Sequence, residues 1–126
     1  MTGVPPPTRN NGLIMLWKAA KGICHYCDCL TTLEDTRGGD AATKDHKIPR
    51  KRTDKGAFRG GVKNLVLACQ FCNGLKGDLT DTEFLEVFPE IATRPMTLRI
   101  RRRLRADKTR RLRERSARHA LEAAAP

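Results

Sequence analysis

Two pairs of cysteines constrain what this chain can fold into more than any other feature. Cys24 and Cys27 form one Cys-x-x-Cys pair, and Cys69 and Cys72 form a second. Two intervening residues let a tight turn point both thiolates at one ion, and two such turns complete the tetrahedral site that zinc prefers. Chance clustering or a redox-active dithiol could also give one pair, but two pairs among only five cysteines favour a structural zinc site.

A bound metal would also compensate for a small core. The chain has 126 residues, of which 39% are hydrophobic and 5% aromatic. Domains of this size and composition usually need a metal or a partner subunit to be stable. A site closed by four thiolates has no open position for a substrate, so we expect this zinc to stabilise the fold without taking part in chemistry. The fifth cysteine, Cys29, is predicted to be a small buried or half-buried residue; the alternative is that it replaces one of the four ligands.

The net charge of +11 is concentrated towards the C-terminus. Residues 94–126 contain twelve arginine and lysine residues and three acidic ones, which leaves +9 there and +2 in residues 1–93. This pattern is typical of a helix that follows nucleic-acid phosphates, with salt-dependent affinity and little base selectivity. The alternatives are a solvated helix and a helix that docks on another DNA-processing protein. The arginines expected to contact phosphate in this segment are Arg101, Arg102, Arg103, Arg105, Arg110 and Arg111.

Local sequence signals divide the chain into three parts and six elements. Residues 1–11 are rich in proline and predict a flexible lead-in, residues 12–92 a folded domain, and residues 93–126 a helical tail. In chain order, we predict a helix over 12–21, strands over 42–48 and 64–69, and a helix that begins in the second cysteine pair and ends near Gly77. A further helix is predicted from Thr80 to Glu90, with a Thr80–Glu83 capping box at its start. The last helix is predicted from Pro95 to about Ala123, with a weak apolar stripe formed by Met96, Ile100, Leu104 and Leu112.

The sequence between and around the cysteine pairs carries a resemblance to a known family. The motifs, in order, are Cys24-x-x-Cys27, Asp45-His46-x-x-Pro49, Gly60-Gly61-x-x-Asn64-Leu65 and Cys69-x-x-Cys72-Asn73-x-x-Lys76. Over about residues 22–79 this order resembles the zinc-stapled HNH nucleases of the ββα-metal group. The resemblance implies an α+β fold with a small ββα-metal core, stapled by the four-cysteine zinc site and flanked by helices. It identifies an H-N-N variant and does not extend to the tail.

The resemblance also implies roles for four residues of a candidate active site. His46 would be the general base that activates a water molecule, and Asp45 and Asn73 would ligate a magnesium or manganese ion. Asn64 would tie the loop between the strands and orient His46. Taken singly, each motif has a structural alternative: a surface Asp-His pair, a turn asparagine and a helix cap. Neighbouring side chains of a strand point to opposite sides, although Asp45 and His46 must both reach one phosphate. The resemblance implies that the strand end and the following loop resolve this, with the metal at the helix that packs against the hairpin.

Together these features predict a metal-dependent DNA endonuclease. One active site cuts one strand, so a monomer should nick. The main alternative is a zinc-stapled nucleic-acid-binding module without catalysis. The segment from residue 50 to 59 is longer than the loop often found in the family, so target selectivity does not follow from the resemblance. The basic residues expected to contact phosphate near the site are Lys47, Arg50, Lys51, Arg52 and Lys76.

Location and partners are predicted more coarsely. No apolar run is long enough to cross a membrane, and no basic segment precedes the apolar stretch at 12–17, so we expect a cytoplasmic protein without a signal peptide. The resemblance suggests a phage or mobile-element setting, in the host cytoplasm and alongside packaging machinery or another DNA-processing protein. The oligomeric state is not predicted.

Overall fold

The computed structural model describes residues 11–34, 37–49 and 64–125 of the chain. The elements, in chain order, are α1 (Asn11–Ala19), β1 (Ala42–His46), β2 (Leu65–Cys69), α2 (Gln70–Lys76), α3 (Asp81–Val87), α4 (Glu90–Thr93) and α5 (Leu98–Ala124). Among these described helices, none combines the length and the apolar character that crossing a membrane requires. Outside the described residues lie most of the predicted lead-in and the predicted phosphate contacts Arg50, Lys51 and Arg52.

The centre of the fold is an antiparallel hairpin followed directly by a helix. The register pairs Ala42 with Cys69 at one end of the hairpin and His46 with Leu65 at the other. Cys69 ends β2 and also caps α2, because its sulfur accepts a hydrogen bond from the Cys72 N–H at 3.4 Å. The predicted order of two strands and a short helix is confirmed.

Helix α2 folds back along β1 and so runs towards the end of that strand. The Asn73 side chain contacts Thr43 in the first half of β1, at 3.0 Å from amide nitrogen to hydroxyl oxygen. One turn later, the Lys76 ammonium donates to the carbonyl oxygen of His46 at 2.8 Å. The polar side chains of α2 therefore lie along the strand that carries the Asp-His pair.

Strand β1 ends at His46, two residues before the predicted limit. The reason is the side chain of Asn64, which takes the place of a strand partner for Ile48. Its Oδ1 accepts from the Ile48 N–H and its Nδ2 donates to the Ile48 carbonyl oxygen, both at 2.9 Å. Since these backbone groups bond to a side chain rather than to a neighbouring strand, the ladder stops before them.

Helix α3 begins as predicted and ends earlier. Thr80 and Glu83 form the expected capping box, with bonds of 2.9 and 3.2 Å. The prediction that this helix continues to Glu90 is wrong. Pro89 has no N–H to extend the ladder, so α3 stops at Val87 and a separate turn of helix, α4, begins at Glu90.

Helix α5 begins three residues after the predicted Pro95. Thr97 is the N-cap, and its hydroxyl accepts from the Ile100 N–H at 3.2 Å. The capping side chain, rather than the proline ring, therefore sets the start of the helix. The helix ends at Ala124, close to the predicted limit.

The core lies where α2, α3, α4 and the first half of α5 meet. Leu104 of α5 is 1% exposed, so the first half of the predicted tail packs on the domain. The weak stripe predicted on α5 is confirmed at Ile100 and Leu112, which are half-buried against the same core as Leu104. Met96 packs there too, but it precedes the helix. The largest apolar residues of this core are Phe71, Phe84, Phe88, Ile91 and Leu104.

Two arginines that the sequence assigned to phosphate face the domain. The Arg101 guanidinium lies 2.6 Å from the Asp40 carboxylate and 5.1 Å from the centre of the Phe71 ring. Arg111 forms two bonds with the Glu90 carboxylate, at 2.9 and 2.7 Å. Their side chains are 12% and 17% exposed and are engaged by the fold, and the DNA contacts predicted for them stay a prediction. Their partners Asp40 and Glu90 lie outside α5, so the residue pattern of the helix does not predict these ion pairs.

The bidentate pair of Glu90 and Arg111 gives a testable contribution to stability. Hydrogen bonds from Arg111 lower the pKa of Glu90 from 4.5 to about 2. Because the folded-state pKa is depressed, the stabilisation is complete above pH 4.5 and is lost as the pH falls from there towards 2. Glu90→Gln should therefore lower the free energy of unfolding at pH 7 by about 1 to 2 kcal/mol.

Urea unfolding of the zinc-loaded protein at several pH values between 5 and 7 measures this difference. The control is Glu114→Gln, which removes the exposed partner of Arg110 on the same helix and should leave stability unchanged. A wild-type-minus-variant difference that already shrinks between pH 7 and pH 5 would contradict the depressed pKa of Glu90.

Candidate active site and metal centre

A pocket of about 200 Å³ at the end of β1 collects three of the four predicted active-site residues. Asp45, His46 and Asn73 all line it. Asp45 is buried and His46, the last residue of the strand, is half-buried. Although the two side chains alternate along β1, the strand ends at His46, and both border the same pocket there. The remaining lining residues are Lys44, Pro49, Lys76 and Gly77.

Two buried partners fix the carboxylate of Asp45. The Tyr26 hydroxyl donates to Oδ2 at 2.6 Å, and the Lys76 ammonium lies 3.2 Å from the same oxygen. Burial of the ring, and then the neighbouring Asp45 charge, raise the pKa of Tyr26 well above its ordinary value, so the phenol stays a neutral donor. Both contacts fall on the same oxygen of a carboxylate that lines the pocket.

The amide of Asn73 has its orientation set by β1. Its Nδ2 donates to the Thr43 hydroxyl at 3.0 Å and lies 3.4 Å from the Lys44 carbonyl oxygen. A carbonyl oxygen can only accept, so the nitrogen must face the strand and the amide oxygen must point away from it. Asn73 is not the cap of its helix, because Cys69 holds that position.

Asn64 lies beside the pocket rather than in it. It is 4% exposed, and its side chain bonds to Ile48 as described above. Its carbonyl oxygen also accepts from the Lys47 N–H at 2.8 Å. These three bonds hold the chain immediately after His46 in place, which matches the loop-tying geometry predicted for Asn64.

Lys76, a predicted phosphate contact near the site, lines the pocket with its ammonium already paired. Its side chain is 0% exposed, and the ammonium bonds to the His46 carbonyl oxygen and pairs with Asp45. A lysine is rarely buried without a paired charge, and the sequence does not reveal this partner. Only the packing of α2 against β1 brings it to the buried carboxylate. Tyr26 was missed for a similar reason, because it lies nineteen residues before Asp45.

The second candidate site is a cluster of thiols at the other end of the hairpin. The sulfur atoms of Cys24, Cys27, Cys29 and Cys69 all lie within 4.8 Å of one another. The Cys27 and Cys69 sulfurs are 3.8 Å apart, which is about the edge of a tetrahedron with 2.3 Å metal–sulfur bonds. Hydrogen bonds among these thiols lower the pKa of Cys24 well below its ordinary value and raise the pKa of Cys29 and Cys69 above it.

This set differs from the prediction in its fourth member, Cys29 instead of Cys72. The chain returns after the first cysteine turn, with the Cys24 N–H donating to the Cys29 carbonyl oxygen at 2.9 Å, so Cys29 comes back to the cluster. Cys72 is fully buried beside it in the first turn of α2, where its N–H donates to the Cys69 sulfur. Both cysteines therefore adjoin the three shared ligands, and four sulfur donors fit zinc.

The fold and the site together define a small mixed α/β unit, with a two-stranded hairpin, a helix folded onto it and a thiol cluster beside it. Residues 24–79 match the family model described as HNH endonuclease. This stretch of the chain is therefore similar to HNH endonuclease domains, with a ββα core beside a thiol cluster that could hold a metal such as zinc. It includes all five cysteines and every residue that lines the pocket, and it ends before α3. A search of curated proteins gives no match.

Proposed function

We propose that this protein is a divalent-metal-dependent DNA endonuclease. The observation that carries the proposal is the convergence of Asp45, His46 and Asn73 on one pocket, within a stretch that matches the family model described as HNH endonuclease. A base, a carboxylate and an amide oxygen are the groups that phosphodiester hydrolysis at a metal site needs.

In this proposal, each pocket residue has one task. His46 accepts the proton of the attacking water. Asp45 and Asn73 hold a magnesium or manganese ion, for which oxygen donors are the fitting ligands and which neutralises charge on the phosphate and the leaving oxygen. Asn64 positions His46 through the backbone that follows it. The thiol cluster takes a structural zinc and no part in the reaction.

The test is incubation of zinc-loaded protein with supercoiled plasmid, with and without added magnesium or manganese. A monomeric nuclease of this kind should convert supercoiled plasmid to the open circle before any linear form appears. Cleavage that is independent of His46 would come from a contaminant and would remove the support for this site. A protein that retards DNA on a gel but never cuts it, with either metal, would be the zinc-stapled binding module instead.

We further propose that the outward side of α5 follows the DNA backbone. Arg102 and Arg103 are exposed on this helix, whereas Arg101 and Arg111 face the domain. Arg105 is exposed too, but its guanidinium lies 5.2 Å from the centre of the Phe71 ring. Arg110 is exposed but pairs with Asp107 and Glu114 on its own helix. The helix thus offers a subset of its arginines, not all of them, for phosphate contacts.

Replacing Arg102 and Arg103 together by alanine is expected to weaken binding to duplex DNA. Each lost phosphate contact lowers the slope of log affinity against log salt by about 1, so the double variant should lose about 2. Binding measured by fluorescence anisotropy between 50 and 200 mM salt, roughly the range over which such contacts are screened, gives the slope. Arg110→Ala is the matched control and should change the slope less, because its charge is already paired. An unchanged slope in the double variant would mean that Arg102 and Arg103 do not contact DNA phosphates.

A further inference from the structure

The pocket contains a buried cation of its own. Lys76 is 1% exposed, Asp45 6% and Tyr26 5%, so the three side chains form a network that water barely reaches. Lys76 cannot swing into solvent without breaking its bond to the His46 carbonyl oxygen and its pair with Asp45. Its helix is also held at the other end, where Cys69 caps α2 within the thiol cluster.

We propose that Lys76 is a positioning residue that sets how tightly the pocket holds a divalent ion, and this inference rests on the metal site of the proposed function. The ammonium offsets the negative charge of Asp45, so an incoming cation meets a carboxylate that is already neutralised. At the same time, the ammonium and the Tyr26 hydroxyl hold Oδ2 of the carboxylate that lines the pocket. Lys76 thus weakens metal binding while it orders the metal ligand.

Burial makes this effect specific to Lys76 among the basic residues that line the pocket. The field of a charge is screened far less inside a protein than at its surface. Lys44 also lines the pocket, but it is exposed on β1, and its charge is screened by water. The two lysines therefore form a matched pair: the same charge beside the same pocket, one buried against Asp45 and one solvated.

Lys76→Met is expected to bind Mn²⁺ about tenfold more tightly than wild type, because a buried positive charge beside the ion is removed. Its cleavage rate at saturating Mn²⁺ should nevertheless fall, because Oδ2 loses a partner and the carboxylate is less ordered. Lys44→Met should stay within about twofold of wild type in Mn²⁺ affinity, as expected for a screened surface charge. A merely structural lysine would not give tighter metal binding together with slower turnover.

The measurement is the dissociation constant of Mn²⁺ from zinc-loaded protein, by electron paramagnetic resonance of the free ion, with the Mn²⁺-induced rise in melting temperature as a second readout. Lys76→Gln is a second variant for the case that methionine prevents folding, since glutamine keeps an N–H donor for His46 and lacks the charge. Weaker or unchanged Mn²⁺ binding in a folded Lys76 variant overturns the inference.

Asp45→Asn separates this inference from the proposed function. If Asp45→Asn abolishes Mn²⁺ binding and Lys76→Met does not tighten it, only the role of Lys76 is wrong. If wild type and Asp45→Asn bind Mn²⁺ equally, or neither binds it, the metal site itself is wrong and the role of Lys76 falls with it.

Discussion

A His46→Ala protein is expected to cleave plasmid DNA about 10² to 10⁴ times more slowly than wild type, the range typical of a lost general base. His46 lines the pocket beside Asp45 and Asn73, and no other histidine lines it. Its backbone, rather than its ring, forms the bond to Lys76 and the register with Leu65, so the alanine variant should keep β1 in place. The rate of appearance of open-circular plasmid measures the effect.

Two controls accompany this prediction. His119→Ala removes an exposed histidine of α5, outside the stretch that matches the HNH endonuclease model, and should leave the cleavage rate unchanged. Zinc content of His46→Ala should equal that of wild type, because the ring contributes no ligand to the thiol cluster. If His46→Ala cuts as fast as His119→Ala in preparations free of contaminating nuclease, another group must activate the water.

Loss of Cys24, a zinc ligand in the proposed function, is expected to unfold the domain. Cys24 is fully buried and belongs to the cluster whichever cysteine is the fourth ligand. The apparent binding free energy of a structural zinc is about 10 to 16 kcal/mol in small zinc domains, which rivals the whole stability of a domain at about 5 to 15 kcal/mol. Cys24→Ser should therefore show no cooperative melting transition and no stoichiometric zinc. A cooperatively folded, zinc-free Cys24→Ser protein would refute a structural metal.

The fourth ligand is decided by comparing Cys29→Ser with Cys72→Ser. Loss of a true ligand replaces a thiolate by a hydroxyl and lowers both zinc affinity and the thiolate-to-cobalt absorption of the Co²⁺-substituted protein. The sulfur distances of the structure favour an effect at Cys29, and the Cys-x-x-Cys spacing favours Cys72. Equal losses in both variants would mean that the two cysteines share the position.

The ββα unit and its thiols were predictable because their signals are local. Each cysteine pair spans four residues, and the capping box at Thr80 and Glu83 lies within one turn. Element ends were less predictable where a side chain from elsewhere intervened, as Asn64 does at Ile48. The roles of the pocket residues came from resemblance to a family, and the structure adds their convergence on one pocket.

The sequence by itself determined two cysteine pairs with metal-ligand spacing, a hairpin followed by a helix, an Asp-His pair on the first strand and an arginine-rich last helix. Only the tertiary structure decided which charged side chains form ion pairs within the folded protein. Lys76 reaches Asp45 across 31 residues of sequence, and Arg101 reaches Asp40 across 61. Such pairs leave no periodic pattern, because burial and partner choice depend on how separate elements pack. The same arginine or lysine can bind phosphate on one face of a helix and hold the fold together on the other.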